Sequence, residues 1–136
     1  MTRILVATRI LLGASLIVPT VLLLAALLSG TAGAAYPETV DGVTVIHLEQ
    51  HNGYFAAQET LGGLEPGKYR FVVENKAGKV VGFQLQHFET HETLAMFPLD
   101  PGETRSATVQ IGPEGVRYRC PINPTPWYNL DTIKTE

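Results

Sequence analysis

Cysteine is almost missing from this chain: Cys120 is the only one in 136 residues, so no intramolecular disulfide can form. A small domain with a single thiol must be held by its apolar core alone. Tryptophan is equally scarce, with Trp127 standing by itself. Basic charge is also short, with 10 Lys and Arg against 13 Asp and Glu, and Arg3 and Arg9 fall within the first ten positions. After residue 35 the balance is 8 basic against 13 acidic residues, or −5. Nucleic acid and anionic membrane surfaces demand a basic face, and this composition excludes them as partners. There is no G-x-S-x-G, no glycine-rich phosphate loop and no H-E-x-x-H, and nothing in the chain reads as an enzyme. Neither histidine nor methionine occurs after Cys120.

Charge is absent altogether between Arg9 and Glu38. Residues 10–28 are dominated by Leu, Val, Ile and Ala, and the small residues Ser29-Gly30-Thr31-Ala32-Gly33-Ala34-Ala35 follow. Basic, apolar and small-residue regions in that order form an export signal, with cleavage after Ala34 or Ala35 by the A-x-A-like rule. The alternative is an uncleaved anchor, because the apolar run approaches the length of a bilayer span, although Pro19 interrupts it. In either case residues 1–35 are expected to direct the rest to the periplasm or the extracellular space, and the membrane is a partner only through that segment. Residues 36–136 then form one domain of 101 residues, enough for a two-sheet sandwich.

The domain reads as short strands separated by Gly and Pro turns. Residues 40–48 are rich in β-branched side chains and predict the first strand, followed by a turn at Asn52-Gly53. A weaker strand covers residues 54–60, and Pro66-Gly67 turns into a strand in which Tyr69, Phe71 and Val73 share one face. Residues 75–78 are expected to close a hairpin onto a return strand ending at His87, where Phe83, Leu85 and His87 share the face toward the core and Gln84 and Gln86 face away. Residues 89–96 show no clean period and predict a short helix or a wandering connection. Strands over residues 104–111 and 116–120 and a short one from Tyr128 complete the set. Seven or so short strands without an amphipathic helix predict an all-β sandwich, with Tyr69, Phe71, Val73, Phe83, Leu85, Val109, Tyr118 and Leu130 as its core.

The chemistry-bearing residues are few. Val116, Tyr118 and Cys120 alternate with Arg117 and Arg119, which delivers one inward cysteine to the stiff loop Pro121-Ile122-Asn123-Pro124-Thr125-Pro126. An inward cysteine of this kind reads as a core residue more readily than as a nucleophile. Trp127 and Tyr128 are candidates for a ligand or partner surface, or for a cap over the open end of the sandwich. Glu89 and Glu92 read as solvated loop charges. The histidines form two pairs of equal spacing, His47 with His51 and His87 with His91. Four residues of strand span about 13 Å, so a shared metal ion needs a turn within each pair. The candidate ligands are His47, His51, His87, His91 and Cys120, with Met96 as an outside addition.

Three stretches resemble the cupredoxin family. Gly67-Lys68-Tyr69-Arg70-Phe71-Val72-Val73-Glu74-Asn75 is similar to its central strand, Leu99-Asp100-Pro101-Gly102-Glu103-Thr104 to the turn before its penultimate strands, and Gly115-Val116-Arg117-Tyr118-Arg119-Cys120-Pro121 to the strand ending in its copper-binding cysteine. The resemblance implies a Greek-key β-sandwich with a copper site of two histidines, the cysteine and usually a methionine. Only Cys120 of that set carries over. The first histidine would fall near Val81-Gly82-Phe83, and the second where Asn123, Pro124, Thr125 and Pro126 stand. The expectation is an exported cupredoxin-like binding or accessory module without a type 1 copper site. The alternatives are a copper- or other metal-handling protein that uses its own histidines and a small electron-transfer partner, and the binding partner is an exported protein or a metal ion.

Overall fold

In β4 (Gly67–Asn75), Tyr69, Phe71, Val73 and Asn75 are buried while Lys68 and Arg70 are exposed, as alternation around Phe71 requires. The computed structural model describes residues 35–132, and the expected export segment up to Ala34 lies outside the described residues. Before β4 come β1 (Glu38–Val40), β2 (Val43–Gln50) and β3 (Phe55–Ala57); after it come β5 (Val81–His87), β6 (Thr93–Leu99), β7 (Thr104–Ile111), β8 (Val116–Arg119) and β9 (Tyr128–Leu130). No helix occurs among the described residues, which are all-β.

The strands form two sheets. One has the order β1-β2-β4-β7 with β3 also on β2, and the other has the order β6-β5-β8-β9. Every pairing is antiparallel except that of β2 with β4. Ile46, Leu48, Phe71 and Val73 from the first sheet and Val81, Phe83, Leu85 and Val116 from the second belong to one buried cluster, which gives a sandwich-like arrangement. Of the expected core residues, Val109 is partly buried against that cluster and the rest are buried. Burying a side chain such as Phe71 contributes about 1.5–3 kcal/mol, and this core supplies the cohesion that a single thiol cannot.

Four expectations about the elements need correction. Residues 40–48 are two strands, because Asp41 and Gly42 take φ of 51° and 77° and turn the chain into the β1–β2 hairpin. Residues 75–78 do not close a hairpin. The Asn75 side chain instead points inward, donates to the carbonyls of Lys79 (2.8 Å) and Leu99 (3.0 Å), accepts from the Ala77 amide (2.8 Å), and so carries the chain from one sheet to the other. The supposed helix or connection at residues 89–96 is largely β6, whose period is obscured by a register shift at Leu85/Gln86 and by exposed Met96 and Pro98. The strand leading to Cys120 ends at Arg119, since Pro121 offers no amide for a further rung.

The edge of β2 has an unusual construction. β1 pairs with its residues 43–45 and β3 pairs with residues 48–50 on the same side, which leaves Ile46 and His47 between two partners. The chain just beyond β3 repairs this gap: the Gln58 amide donates to the His47 carbonyl at 3.0 Å, and the Glu59 carboxylate accepts from the His47 amide at 2.8 Å.

Candidate functional site

Cys120 lies at the end where β5 begins and β8 stops, fully buried. Its Sγ accepts hydrogen bonds from the amides of Gly82 (3.2 Å) and Asn123 (3.2 Å), while its own amide donates to Thr125 Oγ1 at 3.1 Å. Thr125 Oγ1 donates in turn to the Pro126 carbonyl at 3.0 Å, and the Asn123 side chain donates to Asn52 Oδ1 at 3.0 Å. The loop's polar groups are therefore spent on one another. Gly82 makes the close packing possible, since a Cβ there would stand 3.1 Å from Pro121 Cδ and 3.2 Å from Ile122. The inward residue at the start of β5 is Val81, also fully buried. A type 1 copper site needs two imidazoles around the thiolate, and this donor set does not fit it.

The surface above this loop is apolar. Gly82, Met96, Phe97, Pro98, Pro121 and Ile122 line a recess of about 250 Å³. Met96 is 63% exposed and Ile122 is 54% exposed. Met96 pairs opposite Gln84 and so points away from the core that Cys120 enters.

The histidines are dispersed. His51 lies at the Cys120 end, stacked on Tyr54 with centroids 4.7 Å apart and 3.4 Å from a Glu49 oxygen. His87 lies at the far end of β5, where Nδ1 accepts from the amides of Glu89 (3.3 Å) and Thr90 (3.2 Å) and Nε2 is 3.7 Å from Glu114. His91 is exposed, in a left-handed backbone with φ of 62°. His47 is on the outer face of the first sheet, where its Nδ1 donates to Glu59 Oε1 at 2.5 Å while Oε2 of the same carboxylate takes its backbone amide. Among the described residues no three His, Cys, Asp or Glu side chains stand close enough to hold an ion. Of the candidate ligands, only His47 has its ring orientation set by a largely buried carboxylate. Glu59 carried no signal in the sequence, because it lies twelve positions from His47 at the end of a weak strand.

Trp127 and Tyr128, adjacent in sequence, face opposite ways. Tyr128 stacks on Tyr118 at 5.1 Å and its hydroxyl accepts from the Phe55 amide at 3.2 Å, so it belongs to the core wall. Trp127 lies on the outer face of the second sheet under two guanidinium groups, 4.1 Å from Arg117 Cζ and 4.4 Å from Arg119 Cζ. Arg117 also donates to Gln86 Oε1 at 3.1 and 3.0 Å, and Arg119 donates to Gln84 Oε1 at 3.2 Å. Neither arginine pairs with a carboxylate among the described residues. The result is a fixed cationic ladder beside the apolar recess.

No protein-family model matches the chain. No curated protein matches it either.

Proposed function

We propose that this chain is an exported cupredoxin-like module that binds a partner protein through its Cys120 end and lacks a type 1 copper site. The order of its strands around Phe71 and the delivery of an inward cysteine at the end of β8 support the Greek-key cupredoxin reading. The observation that carries the functional reading is the contrast at that end. A buried thiol is held by two amides below, and an apolar recess with exposed Met96 and Ile122 opens above. Exposed apolar surface beside a rigid cationic rim is the composition of a protein-docking face.

Two measurements test this reading. Cu(II) added to the exported protein is expected to give no intense thiolate-to-copper absorption, because that band needs a copper–cysteine bond. A strong visible band that vanishes in Cys120→Ser overturns the proposal. A photo-crosslinking side chain placed at Ile122 is expected to give one discrete protein adduct that Met96→Asp abolishes, whereas the same side chain at Lys68 gives none. A second reading, metal handling, is favoured by the His47–Glu59 pair, which has the carboxylate–imidazole arrangement that orients metal-binding histidines.

A further inference from the structure

We propose that export cleavage after Ala34 completes a copper(II) site on the outer face of the first sheet, formed by the new α-amine of Ala35 and Nε2 of His47. The proposal rests on the metal-handling reading and on removal of residues 1–34. Its first support is the gap between β1 and β3 on β2. Glu59 fills that gap with both oxygens, one on the His47 amide and one on Nδ1, and its side chain is only 12% exposed while that of His47 is 42% exposed. A carboxylate can only accept, so Nδ1 carries the proton and the lone pair of Nε2 remains for a ligand.

The second support is independent of the first. Ala35, Glu38, Val45, His47 and Glu59 line a single recess of about 410 Å³. Ala35 is tied into it, because its carbonyl accepts from the Thr60 amide at 2.9 Å, one residue beyond Glu59. The residue that an A-x-A cut after Ala34 would leave first in the chain thus already borders the recess that holds the oriented imidazole. Glu38, directly opposite Val45 in the β1–β2 ladder, places a carboxylate at the same wall. Pro37 at the third position has no amide proton, so a copper ion bound at the terminus cannot recruit a third backbone nitrogen from this segment and takes its next nitrogen from a side chain. An amine and an imidazole are nitrogen donors, and among first-row divalent ions copper(II) binds such sites most tightly.

The test uses the protein secreted from cells expressing the full chain. Its intact mass is expected to show a start at Ala35. Calorimetric titration with CuCl₂ is expected to give one site of micromolar affinity or tighter. His47→Ala should weaken it at least 100-fold, and Glu59→Gln should weaken it about 10–100-fold, the range for removing a carboxylate that orients a ligand. Inserting Gly-Pro between Ala34 and Ala35, which displaces the amine by two residues and leaves no amide proton at the second position, should also weaken it at least 100-fold. Pulsed electron paramagnetic resonance of the copper complex should show an imidazole remote nitrogen that disappears in His47→Ala. Far-ultraviolet circular dichroism identical to that of the parent keeps each variant interpretable. A mass starting elsewhere overturns the proposal, as does copper binding indifferent to His47 or to the displaced amine. In that last case metal handling survives at another place, whereas no binding at all removes both.

Discussion

Gln50 ends β2 facing inward and fully buried, and neither its Nε2 nor its Oε1 has a hydrogen-bond partner among the described residues. An unsatisfied buried amide costs about 1–3 kcal/mol, whereas an apolar side chain of similar shape costs nothing of that kind. Gln50→Met is therefore expected to raise the free energy of unfolding by about 1–3 kcal/mol in a urea titration. A net loss would show that the amide is bonded by a group on another molecule. In the same inward layer, burial pushes the Tyr118 hydroxyl well above the ordinary tyrosine range, and neighbouring Tyr128 pushes it the same way. The unfolded chain releases this proton near pH 10.0 while the folded chain keeps it. The associated stability is thus fully present below pH 10 and is lost as the pH climbs toward the folded value. Thermal midpoints measured from pH 9 to 11 should fall less steeply in Tyr118→Phe than in the parent. Tyr69, raised by its own burial and by Glu65, should sustain a residual slope.

Between elements, the decisive joint is the passage from β4 to β5. Lys68 to Asn75 alternates so cleanly that the inward face of β4 was legible, yet the sequence read the following turn as a hairpin because Asn75-Lys76-Ala77-Gly78 has hairpin composition. What distinguishes the two outcomes is the inward direction of one polar side chain and the distant carbonyl of Leu99 that it meets, which no local pattern records. Asn75→Ala would leave the amide of Ala77 and the carbonyls of Lys79 and Leu99 without that partner. The expected loss is about 2–4 kcal/mol, from buried groups costing 1–3 kcal/mol each when unpaired, with partial relaxation. A loss below about 0.5 kcal/mol in urea would show that the joint is held elsewhere. The same reasoning explains the site. His47 was a candidate on residue type alone, whereas Glu59, which orients it, depends on how β1 and β3 divide one edge of β2. β6 went unread because Met96 and Pro98 face outward from a strand whose register shifts beside Gln86.

For the molecule as a whole, the question is whether two sheets joined mainly through side chains behave as one cooperative unit. Phe71 of the first sheet and Phe83 of the second lie 6.0 Å apart between ring centroids, and Phe55 reaches Phe83, Tyr118 and Tyr128 at 6.1, 5.2 and 5.6 Å. Such contacts leave neither sheet a core of its own, and a domain of this size is then expected to unfold in one step. Trp127 provides a local probe, because as the only tryptophan it reports the outer face of the second sheet through its stacking on Arg117 and Arg119. Far-ultraviolet circular dichroism reports both sheets at once. In urea the two signals should trace one transition with a common midpoint. Phe71→Ala, a change confined to the first sheet, should cost about 3–5 kcal/mol and shift the Trp127 transition by the same amount as the dichroism. A tryptophan transition that stays in place while the dichroism moves would mean that the second sheet stands alone. A cost below about 1 kcal/mol would mean that Phe71 does not join the sheets.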